Sequence, residues 1–306
     1  MTTPASSRSS GSEPWHEPVL VDEVVALLSP RVDGVYVDAT VGLGGHARAV
    51  LAAGAGRLIG IDRDAQALEH ARERLAEWAD RVVLVHDAHE RIRDVLAARG
   101  VPRVDGVLAD LGVSSMQLDH ADRGFSFRQA GPLDMRMDRS RGETLAEKLA
   151  AVDEHALADV IWQYGEERRS RRVARFIIEA RDRGGLTDTA ALATVVRRGV
   201  GAGTWQRLDP ATRTFQALRI WVNGEIDSLG RFVQEAWAAV AVGGRLLIIS
   251  FHSLEDRIVK QAFRRLAEDA SAARLLTRRP LVAGDEESER NPRARSARLR
   301  AIERLA

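Results

Sequence analysis

Val35-Tyr-Val-Asp-Ala-Thr-Val-Gly-Leu-Gly-Gly-His46 decides the fold. It opens on a short apolar run, Val35 to Val37, set between Gly34 and Asp38, which predicts a buried strand. Glycines follow at Gly42, Gly44 and Gly45, and Ala47, Val50 and Leu51 then begin a helical pattern. A strand, a glycine turn and a helix make the first βα unit of a doubly wound sheet, where backbone N–H groups and a helix N-terminus can approach a ligand closely. The glycine spacing alone fits two cofactors. Gly42-Leu-Gly44-Gly-His-Ala47 matches the dinucleotide fingerprint, and Asp62 lies about 20 residues on, where a ribose partner is expected. Asp38 favours S-adenosylmethionine. At the strand end a pyrophosphate would meet a like charge, whereas the ammonium and sulfonium of S-adenosylmethionine suit a carboxylate. The plainer role for Asp38 is a cap on the turn.

The 306 residues suffice for one large domain or two smaller ones. A net charge of +1 gives no global attraction for a polyanion, so a nucleic-acid surface has to come from local clustering. There is no cysteine. That excludes disulfides, iron–sulfur clusters and thiolate nucleophiles together. Methylation of cytosine at C5 through a cysteine adduct is excluded with them; methylation of an exocyclic nitrogen or a ribose hydroxyl is not. No apolar run reaches the roughly 20 residues of a spanning helix. Residues 1–14 are rich in Ser, Thr and Gly without an apolar leader segment, which predicts a disordered tail on a cytoplasmic protein.

Outward from the opening unit, Arg57-Leu-Ile-Gly-Ile-Asp62 predicts a second strand ending in an acid able to accept both ribose hydroxyls of an adenosine. A helix is expected from Asp64 to Trp78 and a third strand from Val82 to Val85, placing Asp87 or His89 to contact the adenine. His86 and His89 lack a third ligand partner, so no metal is expected. The fourth strand, Val104 to Leu111, runs into Asp110-Leu-Gly-Val-Ser-Ser115 at the edge where open α/β sheets bind ligands. Asp38, Asp62, Asp87 and Asp110 thus form a series of acids at one sheet edge.

Gln117 to Met137 has no clear period and predicts a long ordered loop of a functional kind. From Thr144 to about Val200 the period is helical throughout. Loop and helices together predict an all-helical insertion over 116–214, with the sheet domain split between 15–115 and 215–306. One inserted helix carries Arg168, Arg169, Arg171, Arg172 and Arg175. These arginines make either a phosphate-contacting face for RNA or a solvated face paired with Glu166 and Glu167. Arg213, Gln216, Arg219 and Asn223 recur on one face of the next helix, and Arg213, Arg219 and Asn223 join the candidate RNA contacts. Arg245 to Phe251 predicts the fifth strand, with His252-Ser-Leu-Glu-Asp256 at the same edge, and the alternation after Ser296 predicts an edge strand.

Several motifs then act together: His16-x-Pro-Val-Leu20, Asp38-Ala-Thr-Val-Gly-Leu-Gly-Gly-His46, Asp110-Leu-Gly-Val-Ser-Ser115, Gly131-Pro-Leu-Asp-Met-Arg-Met-Asp138, Tyr164-Gly-Glu-Glu167, Thr214-Phe-Gln-Ala-Leu-Arg-Ile220, Ser250-Phe-His-Ser-Leu-Glu-Asp256 and Asn291-Pro-Arg-Ala-Arg-Ser296. The chain closely resembles the bacterial ribosomal RNA small subunit methyltransferase H family over residues 15–303. The resemblance implies a class I methyltransferase with a helical insertion, using S-adenosylmethionine to methylate N4 of one cytidine in the decoding region of 16S ribosomal RNA. It implies cofactor contacts at Gly44, Gly45, His46, Asp62, Asp110 and Gln117. Two positions depart from the family pattern: His89 stands where an aromatic residue is common, and Ala47 where a serine is common.

The exocyclic amine of cytosine is a poor nucleophile, because its lone pair is delocalised into the ring. Transfer needs alignment with the methyl and sulfur and an acceptor for the N–H that turns acidic as the bond forms. Placement nominates Asp110 as orienter or acceptor, with Ser114, Ser115, His252 and Ser253 as candidate cytosine contacts. Two other classes remain open on the sequence, a nicotinamide oxidoreductase and a non-catalytic RNA-binding assembly factor, as does the choice between monomer and homodimer.

Overall fold

The computed structural model describes residues 17–201 and 209–306; the predicted tail over 1–14 lies outside them. Seven strands form one sheet: β1 (Val35–Asp38), β2 (Arg57–Asp62), β3 (Val82–His86), β4 (Val104–Asp110), β5 (Val240–Ser250), β6 (Ala273–Leu275) and β7 (Arg298–Arg304). Their order is β3-β2-β1-β4-β5-β7-β6. The first five are parallel and β7 runs antiparallel to β5 and β6. Parallel strands joined by helical crossovers are covered on both faces, which is why β2 and β4 read as continuous apolar runs.

The two-residue period sorts side chains between two cores. Val37, Ile59, Val107, Leu246 and Ile248 face one side, against Phe232, Val259 and Phe263 from helices Glu225–Ala239 and Ser253–Leu266. Tyr36, Leu58, Leu108, Leu247 and Leu299 face the other, against Val24 and Leu28 of helix Val21–Leu28 and Val50 and Leu51 of helix Gly45–Ala52. A third core lies among helices Leu145–Ala151, Glu154–Gly165, Ser170–Asp182, Thr189–Val200 and Thr212–Asn223, built from Leu149, Ile161, Ile177, Val196 and Phe215.

Three elements differ from expectation. The alternating C-terminal segment is an interior strand: β7 lies between β5 and β6, because Ala273–Leu275, too short to stand out in sequence, takes the edge. The region after β4 is less irregular than predicted, since Ser114 and Gln117 form a reciprocal cap that starts helix Ser115–Asp119. Helix Thr212–Asn223 crosses the expected boundary at 214/215, and its apolar residues Phe215 and Leu218 belong to the helical core rather than to the sheet.

One ion pair fastens the irregular stretch to the sheet domain. Arg123, with its side chain 1% exposed, donates to Asp64 Oδ2 at 2.7 Å. Its other guanidinium nitrogen reaches the Arg136 and Met137 carbonyls at 3.1 and 3.0 Å. Asp64 also caps helix Ala65–Arg74 and accepts from Gln117 Nε2 at 2.9 Å. Removing one partner of a buried pair leaves an unanswered charge, which costs about 3–5 kcal/mol. Arg123→Met is therefore expected to lower the unfolding free energy in urea by about that amount; a loss under about 1 kcal/mol would show that the pair does not hold this segment.

Candidate active site

The first βα turn is shaped by its glycines. Gly42 and Gly44 adopt φ of 50° and 79°, a region L side chains rarely occupy, so the chain reverses from β1 into helix Gly45–Ala52 within a few residues. Asp62 from β2 secures the turn, accepting from Gly42 N at 2.7 Å through one oxygen and from Asp64 N at 2.9 Å through the other. Thr40 ties β1 to β4, its hydroxyl accepting from Asp110 N at 2.6 Å.

Beyond these strand ends lies a cavity of about 300 Å³, lined among others by Gly42, Gly45, His46, Asp62, His89, Asp110, Ser114 and Gln117. Of the other predicted cofactor residues, Asp38 is buried directly beneath the turn and Gly44 shapes it, though neither lines the cavity. Asp87 does not reach it: its carboxylate caps Ala88 N at 2.8 Å and lies 3.3 Å from Arg91. A strand end one residue earlier than Asp87 turns that side chain towards the following helix.

Carboxylates gather at the cavity and beneath the turn that frames it. Asp38 Oδ2 and Asp110 Oδ1 are buried and have no hydrogen-bond partner among the described residues. Burial pushes both carboxyls up to about 7, with His46 opposing this at Asp38 and Arg293 at Asp110. Burial also raises Asp62. His46 donates Nε2–H to the Val19 carbonyl at 2.8 Å, which leaves Nδ1 unprotonated 3.7 Å from Asp110 Oδ2. His46 Nδ1 and the Asp110 carboxylate, which both belong to residues lining the cavity, suit a ligand bearing N–H groups and positive charge. A pyrophosphate in the same turn would meet Asp38, Asp62 and Asp110 together.

At another part of the cavity wall, Arg63 donates to His89 Nδ1 at 3.1 Å, and burial lowers the His89 pKa to about 3, so the ring is neutral. Gln117, a predicted cofactor contact, spends its side chain within the protein, donating to Asp64 and accepting from Ser114 N at 3.0 Å. A strap closes the cavity's rim. Pro18 and Val19 line it, while Asn291 Nδ2 donates to the Glu17 carbonyl at 3.0 Å, Arg290 pairs with Glu17 at 2.8 Å, and Leu20 N donates to Glu287 at 2.7 Å.

The candidate cytosine contacts separate. Asp110 and Ser114 line the cavity; the Ser115 side chain lies outside the described residues. His252 does not line it, because its Nδ1 accepts from Glu255 N in a helix cap and its Nε2 lies 3.2 Å from Glu255 Oε1. Ser253 is exposed and bonds to Glu166 at 3.2 Å. In their place the structure brings Arg219, Glu225, Phe251, Glu255 and Arg293 to the cavity, residues that sequence reasoning did not assign to it.

Three predicted RNA contacts are otherwise engaged. Arg219 makes a two-pronged pair with Glu225 at 2.9 and 2.8 Å. Asn223 accepts from Met137 N and donates to the Met135 carbonyl, both at 2.8 Å, and so clamps the irregular segment. Arg169 bonds the Val200 carbonyl at the end of helix Thr189–Val200. The polar helical face read as a surface is, at Gln216, Arg219 and Asn223, a set of partners for buried backbone and charge. Arg168, Arg172, Arg175 and Arg213 are exposed.

Strand order, glycine turn and acidic cavity at the carboxyl ends of β1, β2 and β4 define a class I S-adenosylmethionine-dependent methyltransferase with a helical insertion after β4. A model of the MraW methylase family matches residues 13–305, and the chain belongs to that family. Its relatives include proteins named ribosomal RNA small subunit methyltransferase H. The one from Sorangium cellulosum is 55% identical over 99% of this chain and 94% of its own length. The one from Geobacter sulfurreducens is 50% identical over 95% of this chain and 99% of its own length.

The orphaned carboxylates have a thermodynamic signature. A carboxyl raised from about 4 to near 7 holds its proton more tightly folded than unfolded. Its contribution to stability is present below about pH 4 and is lost as pH rises through about 7. Asp38→Asn, which keeps the Thr40 N bond, is therefore expected to be more stable than the parent at pH 8 without ligand and to lose that advantage by pH 5, as followed by thermal melts. A stability difference independent of pH would show that Asp38 does not titrate in this range.

Proposed function

We propose that the protein transfers the methyl group of S-adenosylmethionine to N4 of a cytidine in the decoding region of 16S ribosomal RNA. The observation that carries this is the buried Asp110 oxygen, unpartnered among the described residues, on a residue lining a cavity framed by the glycine turn, with a second such oxygen on Asp38 beneath that turn. The names of the curated relatives supply the small-subunit RNA, and the absence of cysteine removes the covalent route to C5.

When bound, the cofactor supplies an electrophilic methyl on a sulfonium. Asp62 would hold its ribose hydroxyls and His89 the adenine side, with the backbone of Gly42 and Gly45 against the methionine portion, while Gly44 shapes the turn and Asp38 beneath it favours the ammonium by charge. Accepting that methyl would cost the amine one proton. Asp110 accepts it, and His46 Nδ1 lies 3.7 Å away to take it onward. Ser114, next to Asp110 along the cavity wall, orients the base, which has to be single-stranded or flipped out of its helix. Arg168, Arg172, Arg175 and Arg213 would contact phosphates.

The test is incubation with labelled S-adenosylmethionine and small ribosomal subunits from a strain lacking this gene, followed by mass spectrometry of the modified nucleotide. The expected product is one N4-methylated cytidine. Methyl on another atom, or none on subunits and naked RNA despite cofactor binding, would overturn the target. Asp110→Asn is expected to lower single-turnover transfer about 10²-fold or more at saturating cofactor, and near-parent turnover would remove Asp110 as the acceptor.

A further inference from the structure

Gly199 lies against Val173 where helices Ser170–Asp182 and Thr189–Val200 cross, so closely that a Cβ there would come within 2.9 Å of the Val173 Cα. This approach carries Arg198 from one helix to the arginine-bearing face of the other. The guanidinium carbons of Arg172, Arg175 and Arg198 stand 5.6, 5.9 and 5.9 Å from the centre of one half-buried ring, Phe176. A single aromatic ring is thus approached by three cations from two helices. Among the described residues, neither Arg172 nor Arg198 has a carboxylate within ion-pair distance. Arg175 has only Glu179, at 3.9 Å, which lies equally far from Arg183. At the end of helix Thr189–Val200 the Val200 carbonyl is taken by Arg169, and the Arg172 guanidinium lies beside Gly201, the residue that caps the helix.

Like charges gathered within about a Debye length repel one another and gain from a polyanion. The ring holds the planar guanidiniums by cation–π contact, which leaves their N–H edges for phosphate oxygens. We propose that Arg172, Arg175 and Arg198, ordered round Phe176 at this crossing, form a phosphate-binding station that grips the RNA backbone away from the target nucleotide. Naming RNA as the partner rests on the function proposed above. The geometry adds Arg198 and Phe176 to the single-helix arginines and removes Arg169.

The test is binding of the full chain to a labelled 16S RNA fragment containing the decoding region, titrated across a salt series, for the parent and for Arg172→Gln/Arg175→Gln/Arg198→Gln. Losing three phosphate contacts is expected to make the slope of log affinity against log salt shallower by about 2. Affinity should fall about tenfold or more at low salt, with S-adenosylmethionine affinity retained as the check on folding. Should the triple variant fail to fold, the double variant Arg172→Gln/Arg198→Gln serves, with a slope change of about 1 to 2. The all-lysine counterpart should keep most of the slope. An unchanged slope and affinity in the glutamine variant would overturn the station. If the variant loses RNA affinity while the parent transfers no methyl to small-subunit RNA, the station stands and only the proposed reaction falls.

Discussion

Burial of carboxylates at the carboxyl ends of adjacent parallel strands is the constraint on which the rest of the site depends. Asp62 is answered by the backbone of the turn it supports, through Gly42 N and Asp64 N. Among the described residues, Asp38 and Asp110 each keep one oxygen unanswered. A buried acceptor without a donor costs of order 1–3 kcal/mol, so the ligand-free fold carries a cost that a cationic, hydrogen-bonding ligand can relieve. Stability and binding are in tension at these positions, and the pKa values near 7 are the outward sign of that tension.

The second layer keeps that edge in place. Asp64 receives Arg123 and Gln117, Gln117 caps the turn after β4, and Asn223 clips the Met135–Met137 backbone to the end of a long helix. Each is a polar side chain answering backbone or charge that would otherwise be stranded in an irregular, water-poor segment. The helical part is therefore bound to the sheet part through polar contacts at the cavity as well as through its own apolar core.

The β-strands and their acids were legible because period, length and terminal residue are local properties. Val35 to Asp38 and Arg57 to Asp62 announce buried strands with a carboxylate at the end, and the structure places them so. What could not be read locally was partnership. Arg219 and Asn223 share a helical face with Arg213, and nothing in the spacing tells that Arg219 meets Glu225 or that Asn223 meets a loop 86 residues earlier. Asp87 failed for a related reason: one residue past a strand end, the direction of a side chain is set by the following turn. The position of β7 inside the sheet was hidden because the short strand that displaces it from the edge, Ala273–Leu275, has almost no pattern of its own.

The interior place of β7 also bears on how the molecule is made. Arg298–Arg304 is the last strand in sequence, yet it lies between β5 and β6, with Arg300 pinned to Asp256 at 2.7 Å. A chain emerging from the ribosome can assemble β1 to β4 early, but β5 keeps an open edge until Arg298–Arg304 arrives. Glu287, Arg290 and Asn291, which fasten the strap beside the cavity, arrive just before them. The ligand pocket is therefore finished only after these C-terminal segments have been made, and a chain lacking them has neither a complete sheet nor a complete pocket.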